Sequence, residues 1–291
     1  PLPAPTINPI AVDDVLNAAE AASTTLSGSN EAGALVTLTI GTRDVTPIVN
    51  ADVWQYRLTP TDVAELTQGA NTLTVTQTDA SGNTSPASTR LLTVDTLAPT
   101  APAATDITAD NTINAAEKAA GATLTGSNEA GASVRLNIAG KEVQASVSGN
   151  AWHYALSADD FVALGEGSVQ AGITQTDAAG NTSATTIKTF NIDTIAPQGL
   201  VISDIVTAGN GTLTGGVEAG STVTLDLGDG ISRLTTLSTD GKSWTYTLSA
   251  AESNAFQSAA TTVNVRATDA AGNTASISQT FAETDLAAPR I

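Results

Sequence analysis

Three kinds of carboxylate recur along this sequence, each in a fixed local context. One is the Glu of a Glu-Ala-Gly turn, at Glu31, Glu129 and Glu218. Another is the Asp of Asp-Ala-x-Gly-Asn, at Asp79, Asp177 and Asp269. The third stands in linkers, as Asp95-Thr-Leu-Ala-Pro99, Asp193-Thr-Ile-Ala-Pro197 and, altered, Asp285-Leu-Ala-Ala-Pro289. Carboxylates brought to ~4–6 Å repel by several kcal/mol at an effective dielectric of ~20. Such a group takes up a proton, a cationic side chain or a metal ion. Lys and Arg are scarce around these motifs, and an oxygen-only donor set completed by carbonyls and water suits Ca²⁺. Zinc held by thiolates is excluded, because the chain has no Cys. The contexts also offer simpler roles. An Asp ahead of Gly-Asn bonds backbone N–H groups in an Asx turn, which still leaves carboxylate lone pairs free, and a hairpin Glu stays solvated.

A second candidate is Asp13-Asp-Val-Leu-Asn17-Ala-Ala-Glu20 with its counterpart Asp110-Asn-Thr-Ile-Asn114-Ala-Ala-Glu117. Asp13 aligns with Asp110, Asn17 with Asn114 and Glu20 with Glu117. Oxygen side chains ahead of a Glu are compatible with a metal loop. The other reading is a capped turn, in which Asn and Glu bond local backbone, and the Gly of an EF-hand loop is absent. The third copy has Ser203 to Gly211 in this place, so the fold does not need the segment. Catalytic chemistry is poorly supported. His153 is the only histidine, and its counterparts are Gln55 and Thr245, so a Ser-His-Asp site would hang on one unrepeated residue. No P-loop or dinucleotide fingerprint occurs.

The elements that position these residues follow from internal repetition. Leu26-Ser-Gly-Ser-Asn-Glu-Ala-Gly33, Leu124-Thr-Gly-Ser-Asn-Glu-Ala-Gly131 and Leu213-Thr-Gly-Gly-Val-Glu-Ala-Gly220 are followed by Trp54, Trp152 and Trp244, then by the Asp turns, then by the linkers. The interval from Trp54 to Trp152 equals that from Asp79 to Asp177, and the next pair of intervals is equal too. The boundaries fall in the Ala-Pro linkers, giving repeats at 1–96, 97–194 and 195–291. Val36, Leu38 and Ile40 alternate with polar residues, as do Trp54, Tyr56 and Leu58, which argues half-buried antiparallel strands. About seven strands per copy with regular turns describe an all-β, immunoglobulin-like Greek-key sandwich, repeated three times end to end as a rod. A short helical stretch is expected at Thr61 to Leu66, Ala158 to Leu164 and Ala250 to Phe256. The Trp is a core residue, with its Tyr neighbour at the sandwich edge where the hydroxyl reaches water.

In such a sandwich the Glu turn and the Asp turn lie at the leading end, and the linker Asp leaves from the trailing end. Asp95 is therefore expected to meet Glu129 and Asp177, and Asp193 to meet Glu218 and Asp269. Glu31 and Asp79 form the leading end of the first copy. The segments at Asn17 and Asn114 belong to trailing ends. With 29 acidic and 11 basic residues the net charge is −18, the wrong sign for nucleic acid or an anionic membrane surface. No transmembrane-length apolar run or signal peptide is visible, and the missing initiator Met suits an internal fragment. Aromatics at 3% leave little to stack on a sugar, which disfavours the alternative of a module binding carbohydrate or protein.

The repeated Asn-Ala-Ala-Glu, Gly-Ser-Asn-Glu-Ala-Gly, Thr-Asp-Ala-x-Gly-Asn-Thr and Asp-Thr-x-Ala-Pro motifs resemble the bacterial Ig-like extender domains of giant repeats-in-toxin and biofilm adhesins. The resemblance covers essentially the whole chain. It implies an extracellular, cell-surface stalk that serves adhesion and biofilm formation and leaves the cell by type I secretion. It also implies a monomer whose partners are neighbouring repeats.

Overall fold

The computed structural model describes residues 2–203, 205–206, 210–283 and 285. The chain is all-β, with six sheets that make three immunoglobulin-like sandwiches in tandem. In the first repeat one sheet has the order Val15–Leu16, Ser88–Val94, Gly69–Thr78, Leu35–Ile40, Arg43–Val45. The other holds Thr25–Ser29, Val53–Arg57 and Ile48–Asn50. The chain comes in beside the second sheet, where the Thr6 and Asn8 N–H groups donate to Ser29 and Ser27. It then crosses over, and Val15–Leu16 runs parallel to Ser88–Val94. The second repeat repeats this switch: Ala103–Ala104 pairs with Thr123–Ser127, and Thr112–Ile113 runs parallel to Thr186–Ile192. In the third, Val201–Ile202 pairs with Thr212–Gly216. Asp204 and Thr207–Gly209, part of the segment expected to replace the acidic loop, lie outside the described residues. By packing, the chain divides into two compact units: residues 1–104, 126–154 and 172–188, and residues 105–125, 155–171 and 189–291.

Alternation decides what is buried. Val36, Leu38, Ile40, Leu73, Val75, Leu92 and Val94 face Leu26 and Trp54 in the first core. Val223, Leu225, Val263, Val265 and Phe281 close on Leu213 and Trp244 in the third. Each Trp lies against a strand Gly. A Cβ at Gly28 would stand 1.8 Å from the Thr6 carbonyl oxygen and 2.6 Å from Trp54 Nε1, and one at Gly126 would stand 1.9 Å from the Ala103 oxygen. The indole therefore reaches the incoming strand directly: Trp54 Nε1 donates to Thr6 O and Trp152 Nε1 to Ala103 O, both at 2.9 Å. This close approach explains the Gly that recurs two residues after each motif Leu.

Short helices form at Pro60–Glu65, Ala158–Leu164 and Ala250–Ser258, where the sequence places them. Capping boxes start all three, from Thr59 with Asp62, Ser157 with Asp160 and Ser249 with Glu252. These caps correct the expectation for the Tyr hydroxyl. Tyr56 donates to Asp62 Oδ2 at 2.8 Å and Tyr246 to Glu252 Oε1 at 3.1 Å, because a cap carboxylate lies within reach of each hydroxyl. Asp62 is fully buried and also accepts from the Thr59 N–H and hydroxyl and from Arg43 at 2.5 Å. Burial pushes its carboxyl up, but these donors prevail and hold it below the usual range.

Two outcomes are expected. Gly126→Ala forces a Cβ into the Ala103 backbone and the Trp152 ring, lowering stability by about 1–3 kcal/mol, as read from thermal unfolding. Asp14, Asp62, Asp110 and Glu252 all have depressed carboxyls in the folded chain. Their stabilisation is complete above the unfolded values near ~4 and is lost as pH falls through the folded ones. The melting temperature should hold from pH 7 to 5 and drop below about pH 4; a flat profile to pH 2 would contradict this assignment.

Candidate functional site

Each compact unit contains one junction between repeats, and the two are built alike. At the first, the helical turn Ala18–Ala21 is capped reciprocally. Asn17 Oδ1 accepts the Glu20 N–H at 2.9 Å, and Glu20 Oε2 accepts the Asn17 N–H at 3.1 Å. The N–H of Ala18, at the first helical position, has no partner within its own helix. It donates instead to Asn181 Oδ1 in the next repeat at 2.9 Å, while Asn17 Nδ2 donates to the Ala179 carbonyl at 3.0 Å. Asn181 answers with its own Nδ2, which donates to the Asp95 carbonyl at 2.9 Å and to Asp177 Oδ2 at 3.0 Å. One carboxamide thus ties the trailing turn of one repeat, the linker, and the leading loop of the next.

The second junction repeats the pattern. Asn114 Nδ2 donates to Ala271 O at 2.9 Å, and the Ala115 N–H to Asn273 Oδ1 at 2.8 Å. Asn273 Nδ2 donates to Asp193 O at 2.8 Å and Asp269 Oδ2 at 3.0 Å. Asn181 and Asn273 are each 5% exposed. Asn83, the same residue of the first repeat, is exposed.

The linkers are held along their length. Gln68 Oε1 accepts the Thr96 N–H at 3.1 Å, and Glu166 Oε2 accepts the Thr194 N–H at 2.8 Å. The Thr194 hydroxyl and N–H hold the Glu166 carboxyl below its usual range. Buried Gln175 donates to the Thr100 carbonyl and accepts the Glu129 N–H at 2.8 Å. In the third repeat Ala267 takes the place of that Gln, and the Glu218 carboxylate accepts the Gln198 N–H at 2.7 Å instead.

The expected site residues divide by what they touch. Asp95 and Asp177 meet on Asn181, and Asp193 and Asp269 meet on Asn273. Glu129 stands exposed on its turn, as does Glu31, whose N–H donates to Gln77. Asp79 closes its Asx turn on the Ser81 and Asn83 N–H groups; the Asn83 bonds foremost hold its carboxyl low. Asp13 and Asp110 accept the N–H two residues on, each at 3.0 Å, and Asp285 accepts that of Ala282. Glu20 and Glu117 serve as cap acceptors. Asp14, opposite Asn111, pairs with Arg90, and both positions have left-handed backbone, φ 63° and 60°. His153 is an exposed strand residue paired with Ser146.

Among the described residues no three Asp, Glu or His side chains are gathered tightly enough to hold a metal ion. Asn181 engages each Asp177 oxygen once, leaving about two of the carboxylate's roughly four lone-pair sites. A groove of about 390 Å³ at the second junction is lined by Glu166, Asp193, Asn191, Ala270 and Ala271, among others. The sequence reading missed Asn181 and Asn273. Their signal was available in the Gly-Asn kept by all three turns, and in the Asn-Ala-Ala-Glu kept by the two copies that another copy follows here.

The family described as bacterial Ig-like domain matches residues 11–96. No curated protein matches the sequence. Among solved structures the chain is similar to a 1.5-MDa bacterial ice-binding adhesin studied for host cell surface retention, with 27% identity over 97% of each chain and a TM-score of 0.47. It is also similar to a Ca²⁺-stabilized adhesin with which an Antarctic bacterium binds ice, at 29% identity over 97% of this chain and 74% of that one, TM-score 0.49. A bacterial immunoglobulin-like domain of the M. primoryensis ice-binding adhesin matches at 27% identity over 33% of this chain and 100% of that one, TM-score 0.25.

Ala18→Pro isolates one junction bond. Proline suits the first helical position, and Asn17 already has the extended backbone (φ −85°, ψ 176°) that precedes a proline. Only the N–H donated to Asn181 is removed. The coupling between the first two repeats should weaken by about 1 kcal/mol, measured as non-additivity with Asn181→Ala in unfolding, while the second junction is unaffected.

Proposed function

Because residues 11–96 are a bacterial Ig-like domain and its motifs recur in order twice more, we propose that this chain is an extender segment of a large, secreted bacterial surface adhesin. It comprises three repeats, 1–96, 97–194 and 195–291, laid end to end as a rod and stiffened at their joints by Ca²⁺. The domain family is structural rather than catalytic. An extender holds an adhesive part away from the cell, in support of cell adhesion and biofilm formation. Its working property is resistance of each joint to bending.

The observation that carries this reading is the buried carboxamide at each joint. Asn181 bonds the preceding repeat, the linker and its own loop at once, and Asn273 repeats the arrangement. A linker fixed at Thr96, Thr100 and Asp95 has little freedom to swing. Independent binding modules on a flexible tether would gain nothing from such bonds.

Calcium adds charge compensation to this frame. Asp95 and Asp177 would hold it at the first joint and Asp193 and Asp269 at the second, with Glu129 and Glu218 on the adjacent turns. The ion would offset the negative charge that these carboxylates bring to each joint. With a Kd of ~10⁻⁴ M and ~1–10 mM calcium outside a cell, each site contributes roughly 1.4–2.7 kcal/mol. That is modest for one joint, but it applies at every joint of a long array.

Small-angle scattering and thermal unfolding, each in EDTA and in millimolar calcium, test this. Calcium should lengthen and narrow the distance distribution and raise the melting temperature. Asp177→Ala should soften the first joint and spare the second. An unchanged distribution and melting point would reduce the joint carboxylates to turn formers.

A further inference from the structure

The outer face of the third repeat's larger sheet carries an open groove of about 380 Å³, lined by Thr224, Asp226, Asn264, Arg266, Ser276 and Ser278 among others. Val223, Leu225, Val263 and Val265 turn into the core, so their polar neighbours turn outward. Thr224 stands opposite Arg266, and Asp226 opposite Asn264. On the other side Arg266 faces Ser276 and Asn264 faces Ser278. The Arg266 guanidinium has no hydrogen-bond or ion-pair partner among the described residues, in a chain with 29 acidic side chains. The second repeat has a groove of about 230 Å³ at the corresponding place, lined by Arg135, Asn137, Glu142, Gly172, Thr174 and Thr185 among others. Its Arg and Asn come from the other strand. Aligning the repeats puts Arg135 and Asn137 in the places of Thr224 and Asp226, and Thr174 and Gly172 in those of Arg266 and Asn264. These places face one another across the two strands, so the Arg-Asn pair has changed strand and kept its position on the sheet. The first repeat has Thr37 with Thr76 and Thr39 with Thr74 there, so the fold needs neither group. Nor does it need the glycine: a Cβ at Gly172 would come no closer than 3.4 Å to a neighbour. A glycine inside a strand with room for a side chain leaves space for a ligand.

We infer that each groove binds a sugar residue bearing one carboxylate, a uronic acid, with Arg266 and Arg135 as the anchors. A guanidinium offers a planar fork that matches a carboxylate. The neighbouring amide and hydroxyls can both donate and accept, as ring hydroxyls require. A neutral sugar would leave the guanidinium unused, and no aromatic ring lines either groove to stack on it. A phosphate dianion would exceed the single positive charge and meet Asp226 beside it. Asp226 Oδ1 is itself engaged, accepting the Gly228, Asp229 and Gly230 N–H groups at 2.9, 3.1 and 3.0 Å. The third repeat is the stronger site, because Arg135 has a carboxylate competitor in Glu142 at 3.7 Å. The inference needs neither calcium nor the extender reading.

Titration of the full chain with D-galacturonate in EDTA, followed by backbone amide and arginine Nε chemical shifts, tests this. Galacturonate should shift Asn264, Arg266, Ser276 and Ser278 with a Kd on the order of 1 mM, and Arg135 and Asn137 more weakly. Arg266→Gln should weaken binding at the third repeat roughly tenfold and leave the second repeat unchanged, and Arg135→Gln should do the reverse. Arg266→Lys should restore only part of the affinity, because the charge returns without the fork. Galactose, acetate, inorganic phosphate and a hexaglutamate peptide are compared at the same ionic strength. No saturable shift by ~20 mM galacturonate would overturn the inference, as would an unchanged affinity in Arg266→Gln. Acetate or galactose binding as well as galacturonate would overturn the acidic sugar as ligand. Tighter binding of phosphate or of the peptide would assign the groove to another anion and overturn it too. Arg266 is exposed and unpaired, so Arg266→Gln should keep the melting temperature of the parent chain, and lost binding then reports on the groove.

Discussion

A buried carboxamide has two donor hydrogens and an acceptor oxygen, and leaving any of them unpaired costs about 1–3 kcal/mol. Asn181 and Asn273 are buried, so their partners are requirements. Those partners come from three places that no single repeat contains: the loop's own Asp, the carbonyl of the linker Asp, and the N–H at the start of the preceding repeat's helical turn. The amide can be satisfied in one arrangement of the joint. Bending it would strand the acceptor that faces the preceding repeat and the donor that faces the linker, and this condition opposes bending.

The third repeat shows which parts of the frame can be exchanged. In the first two, a buried Gln joins the Glu turn to the incoming chain. In the third an Ala stands there, and the carboxylate of Glu218 makes the link to Gln198 from outside. A similar exchange occurs on the turn itself. Among the described residues, Asn30 and Asn128 each leave a buried side-chain oxygen without a hydrogen-bond partner, and Val217 fills that place in the third repeat with no polar atom to satisfy. The Asn of the Asp turn is not exchanged: Asn83, Asn181 and Asn273 occupy it in every copy. Positions serving one repeat tolerate substitution of mechanism, while the position serving two does not vary within this chain.

Much of the fold was legible because its signals are local or periodic. Alternation marked Leu35–Ile40 and its counterparts, and the short helical turns form close to where they were expected. Strand order brought Asp95 toward Asp177. The Tyr hydroxyl was misplaced because its partner, Asp62, lies on a different element and is wholly buried, which composition does not reveal. The joint amide was missed for a related reason. Carboxylates draw attention by their charge, whereas Asn after Gly reads as the end of a turn. Its three partners are spread from residue 18 to residue 177, and such a pattern leaves no period. The remaining clue was conditional: the cap motif and the Gly-Asn turn face one another only across a joint.

The neutral and charged parts of the joint respond to different surroundings. The bonds in which Asn181 donates to the Asp95 carbonyl and accepts from the Ala18 N–H involve no net charge and are little affected by ionic strength. The carboxylates of Asp95, Asp177, Asp193 and Asp269 are half-buried and charged, so their interactions are the ones that respond to ionic strength. The amide sets where the carboxylates stand, because Asp177 is held at both oxygens by Asn181 and Asp95 is held through its carbonyl. On the proposed reading the amide frame supplies the joint's geometry, and calcium at the carboxylates would add stiffness to it. Removing the carboxylates would take away the response to the cation. Removing the amide would take away the geometry that gives the carboxylates something to respond with.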